Sequence, residues 1–345
     1  MTDTGSPPPR MPWWDGTAAP PRRAASTADP AVYPMTAPSS GPPAPPVLHP
    51  PPSQPTYPGP PVREPVHPPG APSLGLGRGS RQRDLVRQVG VPISGTRRVV
   101  VVSIKGGVGK TTAVAVTGSM LAGLRRDKVV ALDASSDWGT LAARLSVVPK
   151  QSVRALAARG RHAVSERGVL AQLATSPSGL LVVGSDPQSV ISGVLTEEEY
   201  VQTLHLLDYI GSVIITDVGA GLQQPFLPAA LSGCDQLVVA SAATWDAVQS
   251  AGAALDWLAA RGYAGLVERG LVVMSNLYPV RRRRHGYVRD LKADLARRTR
   301  AVHEVPFDPA LQPGGRILLR KLSAAARQTY LEIAADVMAG LAAAR

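Results

Sequence analysis

The sequence predicts an α/β domain built on a doubly wound, mostly parallel sheet, preceded by a disordered proline-rich tail. Three observations predict it. Twenty-four of the 34 prolines fall in the first 72 of 345 residues. Missing N–H groups and fixed φ angles forbid backbone ladders there, and few large apolar side chains offset the entropy of ordering. From residue 97 onward, short β-branched runs alternate with longer segments of helical character, and no second break in composition interrupts them. Residues 1–80 are therefore read as tail, 81–96 as a basic linker with a short helix at 81–88, and 97–345 as one domain.

Residues 99–104 are β-branched except for Ser103, the mark of a strand buried on both faces. A glycine-rich turn follows, then a predicted helix over 110–124 and a second buried strand over 128–132. Strand, helix and strand in that order favour a parallel crossover. Residues 180–183 form the next strand candidate. Thr196-Glu197-Glu198-Glu199 is a capping box that opens a helix carrying Leu204, Leu206 and Leu207. Strands are expected at 213–216, 236–240, 271–274 and 302–305, and helices at 243–260, 287–299 and 323–344.

Composition removes several classes. The single cysteine, Cys234, excludes a disulfide scaffold and a clustered-Cys zinc site, and reads as a small buried hydrophobe. His162, His205 and His303 are too scattered to suggest a metal cluster. No apolar run reaches membrane-spanning length, and the polar N-terminus lacks a signal-peptide pattern. A cytoplasmic protein is expected. Of the net charge of +12, residues 1–80 hold only +1, whereas residues 281–300 hold +7. The excess is a local basic patch.

The chemistry concentrates in Lys105-Gly106-Gly107-Val108-Gly109-Lys110-Thr111-Thr112, between a predicted strand and a predicted helix. Phosphate charge must be met without bulk, which glycines permit by turning backbone N–H groups inward. The helix N-terminus adds positive potential, Lys110 a cation, and Thr111 a hydroxyl able to ligate Mg²⁺. Four mostly apolar residues followed by Asp217 form a Walker B pattern, whose carboxylate can hold Mg²⁺.

Where the standard phosphate loop has glycine this chain has Ile104, and an extra lysine, Lys105, precedes the glycine pair. That deviant loop resembles the MinD/ParA family of P-loop ATPases. The resemblance implies ATP and Mg²⁺ as cofactors and a homodimer formed around the nucleotide. Lys105 would reach the other subunit's phosphates, as an arginine finger does in trans. It implies that Asp133 lies near the metal and the attacking water, with Thr111, Asp133 and Asp217 around Mg²⁺. Asn276 would read the base edge, and Pro306-Phe307-Asp308 would lie beside the adenine. One departure stands out: Ser135 occupies the place of a second acid that supports hydrolysis. A hydroxyl does not orient or deprotonate water as a carboxylate does. Slow or partner-stimulated turnover is expected, with Asp137 as a substitute at altered spacing.

Further segments are similar to the EspI-type ATPases associated with type VII secretion: Ala131-Leu132-Asp133-Ala134 with Gly139-Thr140-Leu141, residues 217–222, residues 255–258 with Gly262-Tyr263, and residues 305–309. Physically, residues 255–258 and Trp245 read as helix core. The resemblance implies an ATPase that recruits or positions a protein partner, through a switch surface or through the proline-rich tail. Two alternatives stand beside it. One is a DNA-partitioning ATPase of ParA type, with Arg281, Arg282, Arg283 and Arg284 binding DNA without sequence preference. The other is an ATP-bound scaffold that does not hydrolyse. The same arginines suit an anionic membrane surface or a merely solvated basic face, so a peripheral location at the inner face of the membrane or on the nucleoid is expected. The end of the chain, apolar but not basic, is expected to pack on the domain.

Overall fold

The computed structural model describes residue 74 and residues 79–135, 139–159, 165–185, 194–279 and 285–344. The proline-rich tail, save Leu74, lies outside them, as do Asp137, His162 and the four arginines at 281–284.

Among the described residues the strands form one eight-stranded sheet. They are β1 (Arg97–Val102), β2 (Val129–Asp133), β3 (Ala174–Thr175), β4 (Leu181–Val183), β5 (Val213–Asp217), β6 (Gln236–Ala242), β7 (Leu271–Ser275) and β8 (Ala301–Val305). Their order is β3-β4-β2-β5-β1-β6-β7-β8. All neighbours are parallel except the short edge pair β3 and β4. The predicted doubly wound, mostly parallel class is observed.

Alternate residues of each strand feed two cores. Val99, Val101, Ala131 and Ile215 pack toward one face with α1 (Ser80–Val89), α2 (Lys110–Leu124) and α11 (Ala324–Ala343). Val100, Val102, Leu132 and Ile214 pack toward the other. There they meet α6 (Glu197–Leu207), α7 (Leu227–Ser232) and α8 (Trp245–Leu258). Strands apolar on both sides are what such a sandwich of helices requires.

The segment read as a linker contributes a packed helix. Val89 of α1 is fully buried, Arg81 pairs with Glu332, and Gln82 bonds Gln328, both partners on α11. Leu74 packs on Gly123 of α2. The end of the chain folds onto the domain as expected: Ile333, Val337 and Leu341 are buried in the core beside α1 and α2.

The capping box forms. Thr196 Oγ1 accepts from the Glu199 N–H, and the Glu199 carboxylate accepts from the Thr196 N–H. Glu199 also takes the Arg154 guanidinium at 2.7 Å, tying α6 to α4 (Val153–Ala157). Thr196→Ala is expected to cost about 1 kcal/mol, read as a lowered urea midpoint.

Short elements escaped the sequence pattern: α3 (Leu141–Arg144), α4, α5 (Glu166–Leu170), β3, α7 and α9 (Ala264–Glu268). Each offers at most two turns of periodicity. The helix expected over 243–260 begins at Trp245 and ends at Leu258, where a π-turn at Ala259–Tyr263 leads on through Gly262 at φ +89°. Leu255 and Leu258 are core, but Trp245 is 60 % exposed. As the first residue of α8 it projects beyond the sheet, which corrects its reading as core. Cys234 packs against the second core, and burial pushes its thiol up to about 12.

Candidate functional site

The site lies where the carboxyl ends of β1, β2, β5, β7 and β8 meet, the location that parallel α/β sheets offer for ligands. A cleft of about 630 Å³ opens there. The turn between β1 and α2 forms one side of it. Gly107 and Gly109 both have left-handed φ, +74° and +91°. A Cβ on Gly109 would lie 3.0 Å from Ser275 Oγ, so backbone conformation and space both demand glycine. Gly106, Gly107, Gly109, Lys110, Thr111 and Thr112 all line the cleft, while Val108 turns into the core.

Register sets the carboxylates. Asp133 and Asp217 are paired residues on adjacent strands β2 and β5, so their side chains emerge together. The Asp217 side chain is fully buried and pairs with the ammonium of Lys110, itself only 8 % exposed. Among the described residues its second oxygen, Oδ2, bonds to nothing, and neither does the buried Ser103 Oγ just after β1. Asp133 accepts N–H bonds from Ser135 and Leu141, both at 3.2 Å. Burial, and then the neighbouring Asp217 charge, push the Asp133 carboxyl up to about 6. Gly139 covers it so closely that any Cβ there would overlap the carboxylate.

Ser135 sits at the mouth and lines the cleft, and Gly219, at φ +68°, runs against its Cα. Asn276 follows β7; its side-chain amide donates to Glu304 Oε1 at 2.9 Å and to the Val305 carbonyl at 3.1 Å. With both N–H groups engaged, its Oδ1 remains an acceptor, suited to an exocyclic amino group. Asp308 lines the cleft, yet both its oxygens are occupied, by the N–H groups of Ala310 (2.9 Å) and Ser323 (2.7 Å). It anchors the strap after β8 to the start of α11, with one lone pair on each oxygen remaining. Pro306 and Phe307 line the cleft beside it.

Lys105 stands outside the cleft and pairs with Asp246 on the first turn of α8, both half exposed. Ile104 and Trp245, their chain neighbours, are exposed apolar residues. The arginines at 281–284 lie outside the described residues. Their continuation is α10 (His285–Ala296) and the turn after it. There Arg297, Arg298 and Arg300 pair with Asp294, Asp256 and Asp336 of the same chain. Sequence reasoning missed Arg144 and Tyr330, which also line the cleft. Arg144 follows Leu141 by one helical turn, a spacing too short to stand out. Among the described residues no group of three or more His, Cys, Asp or Glu could hold a metal ion on its own. None of their helices is long and apolar enough to cross a membrane.

Solved structures share this architecture. The ParA-family ATPase of Chlorobium tepidum matches with a TM-score of 0.55 at 16% identity, covering 70% of this chain and 98% of the other. The MinC–MinD cell-division complex of Aquifex aeolicus gives 0.53 at 21% identity, with 69% and 94% covered. The McdA–ATP complex of Cyanothece gives 0.54 at 19% identity, with 72% and 98% covered. The chain therefore has the fold of the ParA/MinD P-loop ATPases. No protein-family profile matches it. Its sequence resembles EspI of Mycobacterium tuberculosis, an ESX-1 secretion-associated protein, with 28% identity over 243 residues. The match covers 70% of this chain and 36% of EspI, so the chain spans about a third of that relative's length.

Proposed function

We propose that the chain is a MinD/ParA-like ATPase that binds Mg·ATP, dimerises around it and hydrolyses it slowly to switch recruitment of a protein partner in type VII secretion. One observation carries the reading. A glycine loop and a buried lysine line one cleft, two register-paired carboxylates lie buried behind that lysine, and Asp217 Oδ2 and Ser103 Oγ are buried without partners among the described residues. Buried polar atoms without partners are rare, and a nucleotide with its metal supplies what these lack.

The residues present fit such a ligand. The N–H groups of residues 106–112 and the Lys110 ammonium would bind phosphate, and Thr111 Oγ1, Asp217 and Asp133 would hold Mg²⁺. The metal, when bound, offsets charge on the phosphates. Lys110 then exchanges part of its interaction with Asp217 for phosphate oxygens. Asp133 orients the attacking water, while Asn276 Oδ1 accepts from the adenine amino group. With Ser135 where a second acid would assist, turnover is slow. Steady-state phosphate release with Mg·ATP tests the reading; tight ATP binding without turnover would favour the non-hydrolysing scaffold, to which Ser135 points.

The dimer rests on Lys105, whose pairing with Asp246 is exposed and easily exchanged. Exposed Ile104 and Trp245 beside it are the kind of side chains that interfaces bury. With a slowly hydrolysed ATP analogue the protein is expected to sediment as a dimer, and Lys105→Ala as a monomer; a wild-type monomer throughout would refute dimerisation. The secretion link is supported by the similarity to EspI. Pull-downs in ATP and in ADP, with and without residues 1–80, test both the switch and the tail. The DNA-partitioning reading requires salt-sensitive DNA binding lost when Arg281, Arg282, Arg283 and Arg284 become Ala.

A further inference from the structure

The cleft holds a second set of polar groups that the phosphate loop does not explain. Arg144, on the last position of α3, lines it with buried Nε and Nη1 atoms that bond to nothing among the described residues. Tyr330, on α11, lines it too; the residue is 0 % exposed and its hydroxyl has no partner. Both are held in place by other means. The Arg144 carbonyl accepts from the Ile317 N–H at 2.8 Å, and the Tyr330 ring lies within the core under α11.

Among the described residues the carboxylates around the cleft are engaged, save for Asp217 Oδ2. Asp308 accepts from two N–H groups, Asp133 from two others, and Asp217 Oδ1 takes Lys110. Asp217 acts on Arg144 only through its field, without a hydrogen bond between them. A guanidinium that lines a cleft and hydrogen-bonds no carboxylate among the described residues is built to meet an anion that arrives. The Tyr330 hydroxyl stays protonated at neutral pH, because burial raises its pKa, and so remains a donor.

We infer that Arg144 and Tyr330 form a second anchor for the phosphate chain of a bound nucleoside di- or triphosphate, supplementing Lys110. The inference rests on the nucleotide-binding reading above and adds a cation outside the phosphate loop. Arg144 donates to phosphate oxygens common to ADP and ATP, and Tyr330 donates alongside it.

Equilibrium binding of a fluorescent ADP, with inorganic pyrophosphate as competitor, tests the anchor on the full chain. Arg144→Met is expected to weaken ADP binding roughly ten- to a hundredfold, the range of a charged hydrogen bond. The pyrophosphate inhibition constant should rise in proportion, with the thermal midpoint of the free protein unchanged. Arg144→Lys keeps charge without the fork and should recover only part of the loss. Tyr330→Phe keeps the ring and should cost roughly three- to tenfold. ADP affinity unchanged in Arg144→Met, or a loss that spares pyrophosphate, overturns the anchor while leaving the phosphate loop's role intact. If the wild type binds no ADP, the nucleotide reading fails and the anchor falls with it.

Discussion

Lys110→Ala is expected to lower the stability of the nucleotide-free protein by about 3–5 kcal/mol in addition to abolishing nucleotide binding. Lys110 and Asp217 form a buried pair, with side chains 8 % and 0 % exposed. Removing the ammonium leaves the Asp217 carboxylate in a dry site, with one oxygen already unpartnered and Asp133 beside it in register. A buried charge stripped of its partner costs far more than a surface ion pair is worth. The double variant Lys110→Met with Asp217→Asn should regain most of the stability, since it buries no net charge, yet remain unable to hydrolyse ATP. Urea denaturation of the two variants separates the effects. If Lys110→Ala were as stable as the wild type, the buried pairing of Lys110 with Asp217 would be wrong.

The second large effect is a pH dependence. Asp133 titrates near 3.8 when unfolded but is pushed up to about 6 in the fold, by burial first and the Asp217 charge second. Between these values the folded chain holds a proton that the unfolded chain has released, so this residue makes stability fall as pH rises. The whole contribution is present below the unfolded value and is lost once pH passes the folded one, a change on the order of 3 kcal/mol. Asp133→Asn cannot titrate. The difference in unfolding free energy, wild type minus variant, should therefore decline by about that amount from pH 4 to pH 7. A constant difference would show that Asp133 is not held as described. In the enzyme assay the same variant should lose at least a hundredfold in hydrolysis, since an amide cannot act as a base.

The fold class and the phosphate loop were legible because their signals are local. A β-branched run ending in Lys105 and its glycines needs no distant partner to be read, and the capping box at Thr196 is complete within four residues. Asp133 and Asp217 could be proposed from strand-end positions, but their pairing depends on register across two strands far apart in sequence. The burial of Lys110 against Asp217, and the raised pKa of Asp133, follow from that register and were invisible earlier. Asp308 shows what a segment resemblance leaves out: it lines the cleft, and both its oxygens also hold the backbone of the strap and of α11, a role only the fold reveals. Trp245 misled because an aromatic residue in an apolar helix resembles core, and only the helix's starting point shows that it stands outside. Arg144 and Tyr330 had no pattern to betray them; they meet through tertiary packing of a one-turn helix and the C-terminal helix.

The helix α11 has two neighbours of different kinds. Tyr330 lines the cleft, while Gln328 and Glu332, two residues to either side of it, hold Gln82 and Arg81 of α1. At its N-terminal end Ser323 is fastened by Asp308, on the strap that follows β8. The first helix thus rests on the same rod that borders the cleft: α11 lines the cleft with one side and carries α1 on another.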